Sequence, residues 1–380
     1  MTTGVFLGVN TTRFLTNSYP DLMPSNRDAN IHSMAQQISK HYVDDVSSEE
    51  LVQAAVQGML NKLDDNSSIL TKSHLRNLEK ETLGHFDGIG LKIGWIGNQL
   101  HVIEVISDTP ADRAGIQTGD QLVIIDDESV NSLNADAVSE KLYGRRDSPV
   151  RIQLLRKGVA EPIDLVLIRE EIELNSVSGS RIESNFAYLR ISHFQKNTEK
   201  EVQKTITSLR DENNLLGLIL DMRNNPGGML SEAIAVADLF LTEGLITFTK
   251  SQLPSREKEF FATGGDIIDG IPIVILIDGN SASAAEIVAG ALSENERALL
   301  VGTKTFGKGS VQSILHLQED ISIKITTAHY FTPNGESIQN KGLQPDILLS
   351  EISDSGLIHE AVRLLESLAA EGAYSRPISR

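Results

Sequence analysis

The stretch IPIVILIDGNSASAAEIVAGAL, residues 271–292, runs from an unbroken apolar segment through a small polar turn into a helical pattern. Continuous Ile, Val and Leu suit a strand buried on both faces, and such strands belong to parallel sheets covered by helices. LLGLIL (215–220) and RALLV (297–301) have the same character, and the helical patterns LSEAIAVADLFL and SAAEIVAGALSE lie between the three runs. This alternation predicts an α/β fold with a mostly parallel sheet.

In an open parallel sheet the loops that leave the carboxyl ends of the strands share one edge, and ligands bind there. Three such loops are DMRNNPGGML (221–230), DGNSASAAE (278–286) and GTKTFGKGS (302–310). A diglycine turn, a serine at a helix start and a lysine are therefore expected to meet. Ser283 falls in the first turn of its helix, where unpaired N–H groups and the helix dipole favour developing negative charge. The Ala284 N–H is then a candidate oxyanion donor. Gly227 or Gly228 is expected to supply a second, since only a residue without Cβ lets backbone approach so closely. The competing reading is that Ser281 or Ser283 only caps the helix.

Lys308 shifts that balance. A lysine has a pKa of ~10.4 in water, and desolvation in an apolar, glycine-lined site favours the neutral amine, a general base. Gly307 and Gly309 are expected to leave room for its stem beside Ser283, and Gln312 to orient the amine without adding charge. A solvated loop charge fits poorly with the neighbours Phe306 and Val311. Catalysis through a neutral lysine would weaken on acidification.

The rest of the chain reads as further domains. Helical spacing recurs from Asp28 to about Leu83, broken by DDVSSEE and DDNSS. Short alternating strands such as LHVIEVI and QLVIIDD follow, with one short helix opened by Pro110 and closed by Gly115 and another over Ala135–Leu142. The chain closes on the amphipathic pattern GLIHEAVRLLESLAAE.

Composition excludes several classes. With 52 acidic against 34 basic residues the formal charge is -18, which opposes binding to phosphate backbones, so nucleic acid is not an expected partner. There is no cysteine, hence no thiol nucleophile, zinc-thiolate site or disulfide. No apolar run is long enough to cross a bilayer, and MTTGVFLGVNTTRFL lacks the basic start and apolar middle of a secretory signal. GTKTFGKG (302–309) nearly matches a phosphate-binding loop, but Gly309 stands where the magnesium-binding hydroxyl belongs and strand-like sequence follows. None of the nine histidines carries a motif, although His316 and His329 lie near the expected site in sequence. Acidic pairs at Asp126–Asp127 and Glu170–Glu171 read as solvated turns, no metal-ligand spacing is present, and no cofactor is expected. A noncatalytic binding scaffold remains the rival from another class; it leaves the serine, lysine and diglycine of one sheet edge unexplained.

DMRNNPGGML (221–230), SASAAEIVAGAL (281–292), TFGKGSVQ (305–312) and AHYFTPNGESIQNKGLQPDI (328–347) together resemble the carboxyl-terminal processing proteases, also called tail-specific proteases. The resemblance runs from about Asp28 to Ile347. It implies a serine peptidase with Ser283 as nucleophile, Lys308 as base, Gln312 positioning the lysine, and Gly227, Gly228 and Ala284 at the oxyanion hole. It also implies a PDZ domain whose carboxylate-binding loop is Gly88, Ile89, Gly90 and Leu91, with the substrate's apolar carboxyl end extended along Leu91–Gly94. The expected architecture is a flexible terminus over 1–27, a helical region over 28–85, a PDZ domain over 86–170, a protease core of crotonase-like character over 171–350, a helix over 351–372 and a tail over 373–380.

Family members act on protein substrates, dimerise through helical ends, and work with adaptor proteins in some cases, which keeps a latent, adaptor-dependent PDZ scaffold as the alternative function. They are exported to the periplasm or cell envelope; without a visible signal here, a cytoplasmic location stays open. Two departures stand out: Glu336 where members commonly carry Arg, and Glu294 where many carry Asp.

Overall fold

A computed structural model of the chain describes residues 30–70, 75, 78, 82–183, 185–210, 215–318, 321–350 and 352–371. The expected flexible terminus (1–27) and tail (373–380) lie outside the described residues. Two compact units are present: the described residues within Met1–Leu70 together with Ile314–Ile325, and those within Thr71–Ser313 together with Thr326–Arg380.

In the first unit, helix Ile31–His41 starts at Asn30, whose side chain accepts from the His32 N–H. Helix Ser48–Leu60 starts at a reciprocal capping box between Ser47 and Glu50. The polar DDVSSEE stretch separates them, as its composition predicts. Strand Ser68–Leu70 then pairs antiparallel with Ser322–Lys324.

The second unit holds the sheet that the apolar runs predict. Its parallel strands run in the order Phe186–Ile191, Gly217–Asp221, Ile273–Ile277, Ala298–Gly302, Ile347–Leu348, and Val177–Ile182 adds antiparallel to the first. Side chains alternate across a strand, so each apolar run feeds two cores. Leu218, Leu220, Ile273 and Ile275 pack with Val202, Val236 and Val288 from helices Thr198–Arg210, Leu230–Asp238 and Ala284–Glu294. Ile219, Val274, Leu276 and Val301 instead pack with Leu357, Ala361 and Leu365 of helix Asp354–Glu371. The carboxyl-terminal helix is thus half of the covering of the sheet. A second, antiparallel sheet, which the sequence reading did not resolve, joins Leu245–Lys250 to Lys258–Phe261 and to His329–Phe331.

Between residues 91 and 168 an antiparallel sheet in the order Leu91–Ile96, Gln99–Val105, Gln121–Ile125, Pro149–Leu155, Ile163–Ile168 closes around its own core of Leu100, Val102, Leu122, Ile125, Ile152 and Leu154. Its two helices are Pro110–Arg113 and Ala135–Leu142, as the turn residues predict. His85–Gly88 pairs with Glu170–Glu173 where the chain enters and leaves this module. No helix among the described residues is long and apolar enough to cross a membrane.

Asp120 pins two turns of the module. It is 2 % exposed and accepts Arg156 Nε and Nη2 at 2.7 Å each and the Gln117 N–H at 2.9 Å. Burial disfavours its charge, but the Arg156 and Gln117 hydrogen bonds outweigh it and hold the carboxyl below the usual range. A carboxyl lowered by folding stabilises above its unfolded pKa of ~3.9, and that stability is lost as pH falls through the folded value. Asp120→Asn is expected to cost about 1–3 kcal/mol at neutral pH, read as lost amide protection in strands 99–105 and 149–155, with the gap from wild type closing as pH falls beneath the unfolded carboxyl pKa of ~3.9.

Candidate active site

The three loops at the carboxyl edge of the sheet are stitched to one another through backbone. Asn225 is fully buried, donates Nδ2 to the Ile191 carbonyl at 2.8 Å, and accepts the Ala282 N–H on its own carbonyl at 2.9 Å. Ser281 is also fully buried; its hydroxyl donates to the Met222 carbonyl at 2.9 Å and accepts the Asp278 N–H at 2.9 Å. That serine therefore belongs to the turn. The Ser281 carbonyl in turn accepts the Phe306 N–H at 3.0 Å, joining the serine loop to the lysine loop.

Ser283 differs. It precedes helix Ala284–Glu294 with φ 55° and ψ -115°, whereas an ordinary capping serine is extended, as Ser47 is at φ -76° and ψ 148°. Positive φ in a residue with a Cβ costs on the order of 1–3 kcal/mol and persists only where surrounding structure over-determines it. Part of that surrounding is Gly227, at φ 103°: a Cβ there would lie 2.6 Å from Ser283 Cβ and 2.9 Å from the Ala284 nitrogen. At Gly228, φ 140°, a Cβ would overlap the Phe194 carbonyl oxygen. Both glycines are required by close approach.

The two differ in what their amides do. The Gly227 N–H donates to Asn225 Oδ1 at 2.8 Å. Among the described residues no protein acceptor takes the Gly228 N–H, and its neighbours' groups are used instead, Phe194 N–H to the Gly227 carbonyl and Met229 N–H to the Phe194 carbonyl, 2.8 Å each.

Sequence reasoning missed Glu286. Fully buried in the first turn of the serine helix, its carboxylate takes four donors, two on each oxygen. Oε2 accepts the Ser283 N–H at 2.8 Å and the Lys308 N–H at 2.9 Å; Oε1 accepts Thr305 Oγ1 at 2.6 Å and the Gly307 N–H at 2.8 Å. The backbone nitrogens of Ser283 and Lys308 therefore lie closer than the sum of two hydrogen bonds. The only signal in sequence is a Glu three residues after a Ser, which reads as a capping box.

Lys308 is half-buried, and its carbonyl accepts the Tyr330 hydroxyl. The flanking glycines serve a purpose other than the expected one. A Cβ on Gly307 would lie 2.8 Å from the Gly342 nitrogen and one on Gly309 would lie 2.7 Å from the Gln339 nitrogen. They admit the 339–342 backbone, which bonds back through Asn340 N–H to the Gly307 carbonyl at 2.8 Å and Gly309 N–H to Gln339 Oε1 at 2.9 Å. Gln312 donates Nε2 to the Ser310 hydroxyl at 2.8 Å and carbonyl at 3.2 Å, which fixes the carboxamide beside the lysine loop. His329 is exposed on the side of its strand opposite Tyr330, and His316 bonds Ser322. Glu294 caps a turn by accepting the Asn334 N–H at 2.7 Å.

Comparison with known proteins gives the family of the chain. Residues 185–349 match the model of peptidase family S41, 75–167 that of the PDZ domain, and 16–72 that of the activating protease CtpB N-terminal domain. The chain is 35 % identical over 359 residues to a carboxy-terminal-processing protease of Bartonella bacilliformis, covering 92 % of this chain and 81 % of that one. The carboxyl-terminal-processing protease of Synechocystis sp. is 36 % identical over 304 residues, covering 78 % and 70 %. This chain belongs to the carboxyl-terminal processing protease family. Among solved structures, the photosystem II D1 C-terminal processing protease matches with TM-score 0.51 and 28 % identity over 87 % of this chain and 96 % of that one.

In this family member the turn at residues 88–91 leads into an edge strand of the PDZ domain. Among the described residues Leu91–Ile96 ends its sheet and pairs only with Gln99–Val105, leaving its other edge without a strand partner. The Ile89 carbonyl accepts the Ala111 N–H at 2.9 Å and the Gly90 carbonyl the Ile106 N–H at 3.0 Å. In a trans peptide the N–H points opposite to the C=O, so the Gly90 and Leu91 N–H groups face away from residues 106–111. A small pocket between this strand and helix Ala135–Leu142 is lined by Phe86, Ile89, Leu91, Ile93, Leu142 and Tyr143. Two of these residues, Phe86 and Tyr143, meet edge-on with centroids 5.1 Å apart, and burial pushes the Tyr143 phenol up.

Glu286→Gln places an amide NH2 against backbone donors that only an acceptor can satisfy. The expected cost is about 3 kcal/mol in thermal unfolding, with peptide hydrolysis at least about 100-fold slower because the lysine loop loses its tie to Ser283.

Proposed function

We propose that this protease is a serine endopeptidase that captures the free, apolar carboxyl end of a protein in its PDZ domain and cleaves near that end through Ser283 and Lys308. The observation that carries the reading is the shared Glu286 oxygen, which holds the backbone of a strained serine and that of a lysine together.

In the reaction, neutral Lys308 Nζ takes the Ser283 hydroxyl proton as Oγ attacks the scissile carbonyl carbon. The resulting oxyanion accepts from the Ala284 and Gly228 N–H groups; Gly228 is preferred over Gly227 because Asn225 already takes the Gly227 amide. Collapse of the tetrahedral intermediate breaks the C–N bond, and the leaving amine takes the proton from the Lys308 ammonium. Water then adds to the Ser283 ester with Lys308 again accepting the proton, and collapse releases the new carboxylate and restores Ser283. Gln312, anchored by its nitrogen on Ser310, has its carbonyl oxygen as the group to orient the amine. No step calls on a cofactor.

At the PDZ domain the Ile89, Gly90 and Leu91 amides, entered from Gly88, take the terminal carboxylate, and the peptide adds as a strand to Leu91–Gly94 with its last side chain in the apolar pocket. Periplasm or cell envelope is the compartment that family kinship suggests. Ile31, Met34 and Ile38 form one exposed helical stripe that suits dimerisation, and an adaptor protein is a further candidate partner.

One peptide with a free apolar carboxyl terminus, compared with its amidated twin, tests both halves. Wild type is expected to cut the free peptide at least about tenfold faster, while Ser283→Ala and Lys308→Met cut neither. Undiminished turnover by either variant would remove the dyad; equal cleavage of the two peptides by wild type would remove only the PDZ role.

A further inference from the structure

Asn225 is fully buried between the diglycine turn and the neighbouring strand end. Its backbone N–H donates to the Met222 carbonyl at 3.3 Å, and its carbonyl accepts the Ala282 N–H at 2.9 Å. The carboxamide bridges two further stretches of backbone: Nδ2 donates to the Ile191 carbonyl and Oδ1 accepts the Gly227 N–H, 2.8 Å each. Only this orientation serves both, since the reverse would set oxygen against a carbonyl and NH2 against an N–H. One residue therefore joins the end of strand Phe186–Ile191, the diglycine turn and the serine loop.

That joint sets the direction of an amide. The Gly227 carbonyl accepts the Phe194 N–H at 2.8 Å, and in a trans peptide the following N–H points the opposite way, so the Gly228 N–H faces away from Phe194. Gly227 itself lies against the nucleophile, for the Cβ it lacks would be 2.6 Å from Ser283 Cβ and 2.9 Å from the Ala284 nitrogen. Two glycines in succession permit many φ and ψ combinations. The Phe194 bond fixes the peptide plane after Gly227, and the Asn225 bond fixes the plane before it. We propose that Asn225 is a positioning residue of the cleavage reaction, its carboxamide holding the turn so that the Gly228 N–H meets the oxyanion beside the Ala284 N–H. This role rests on Ser283 and Lys308 acting as nucleophile and base.

Asn225→Ala removes both bonds of the carboxamide. In the full chain, kcat on the free-terminus peptide is expected to fall about 100-fold with KM unchanged, because the oxyanion forms only after attack. A small alkyl fluorophosphonate, whose phosphoryl oxygen takes the place of the oxyanion and which needs no PDZ domain, is expected to label Ser283 at least about tenfold more slowly. Both rates are taken per reactive serine, counted by total label at completion, so that partial unfolding does not mimic the effect. Asn225→Asp gives a reading that packing alone would not move. Protonated, the introduced carboxyl can donate to the Ile191 carbonyl and accept the Gly227 N–H as the carboxamide does; ionised, it can only accept. Burial raises its pKa above the usual ~3.9. The kcat of this variant relative to wild type at the same pH is therefore expected to rise at least about threefold between about pH 8 and about pH 6, and the ratio removes the titration of Lys308 common to both. Wild-type rates per reactive serine in Asn225→Ala, even with fewer reactive serines, make the residue structural only and overturn the inference, as does a relative kcat of Asn225→Asp that stays flat or falls on acidification. Undiminished turnover in Lys308→Met sinks the dyad and this inference together, whereas wild-type rates in Asn225→Ala alone sink only the role of Asn225.

Discussion

The arrangement depends on one buried carboxylate. Glu286 sits in the first turn of a helix, where the peptide dipoles favour negative charge, and collects four donors from two segments about twenty residues apart in the chain. A buried acceptor of this kind is costly unless every lone pair it presents is used. That requirement dictates the path of residues 305–308, because Thr305 Oγ1, Gly307 N–H and Lys308 N–H must all turn inward. Thr305 Oγ1 carries the constraint one step on, accepting the Leu343 N–H at 2.6 Å and so fastening the loop that covers Gly307 and Gly309.

Beneath this clamp the sheet supplies rigidity. Strands Gly217–Asp221 and Ile273–Ile277 are buried on both faces, and their ends emit loops tied by Ser281 to Met222 and by Ala282 to Asn225. Asp221, fully buried at the end of its strand, binds Arg223 through both oxygens at 2.9 and 2.7 Å, and Arg223 reaches Asp354 at 2.8 Å. The helix that covers the far face of the sheet is thereby tethered to the diglycine loop. A site fixed mainly by backbone and buried polar groups has little to reorganise when charge develops.

How much of this could be read from the residues follows from what each signal measures. Apolar runs report burial on two faces, so the parallel strands, the helices between them and the convergence of three loops were legible, and so were the Pro110 and Ala135 helices of the PDZ domain. The sheet of Leu245–Lys250 and Lys258–Phe261 was not, because its short strands alternate weakly and its third member comes from some eighty residues away. Within the site, residue types were legible and their pairings were not. GG marks a tight turn but does not tell which amide Asn225 consumes; GKG suggests space for a lysine stem, while that space holds another loop. Tyr330 reads as an inward position on an alternating strand, with nothing local to connect its hydroxyl to the Lys308 carbonyl.

Two S-x-x-E sequences that form capping boxes at described helix starts show where local reading stops. Ser47 and Glu50 form one, Ser283 and Glu286 the other, and in both the Glu accepts its serine's N–H, at 3.1 and 2.8 Å. The first sits at an exposed helix start, where solvent meets every remaining need and the serine relaxes into extended backbone. Around the second, Gly227 presses on Ser283 Cβ, Asn225 holds Ala282, and the lysine loop fills the other carboxylate lone pairs, so the serine is held at φ 55°. Four letters specify the same local hydrogen bond in each case. The difference between a relaxed cap and a strained serine lies in the donors and contacts that tertiary structure brings to the glutamate and the serine.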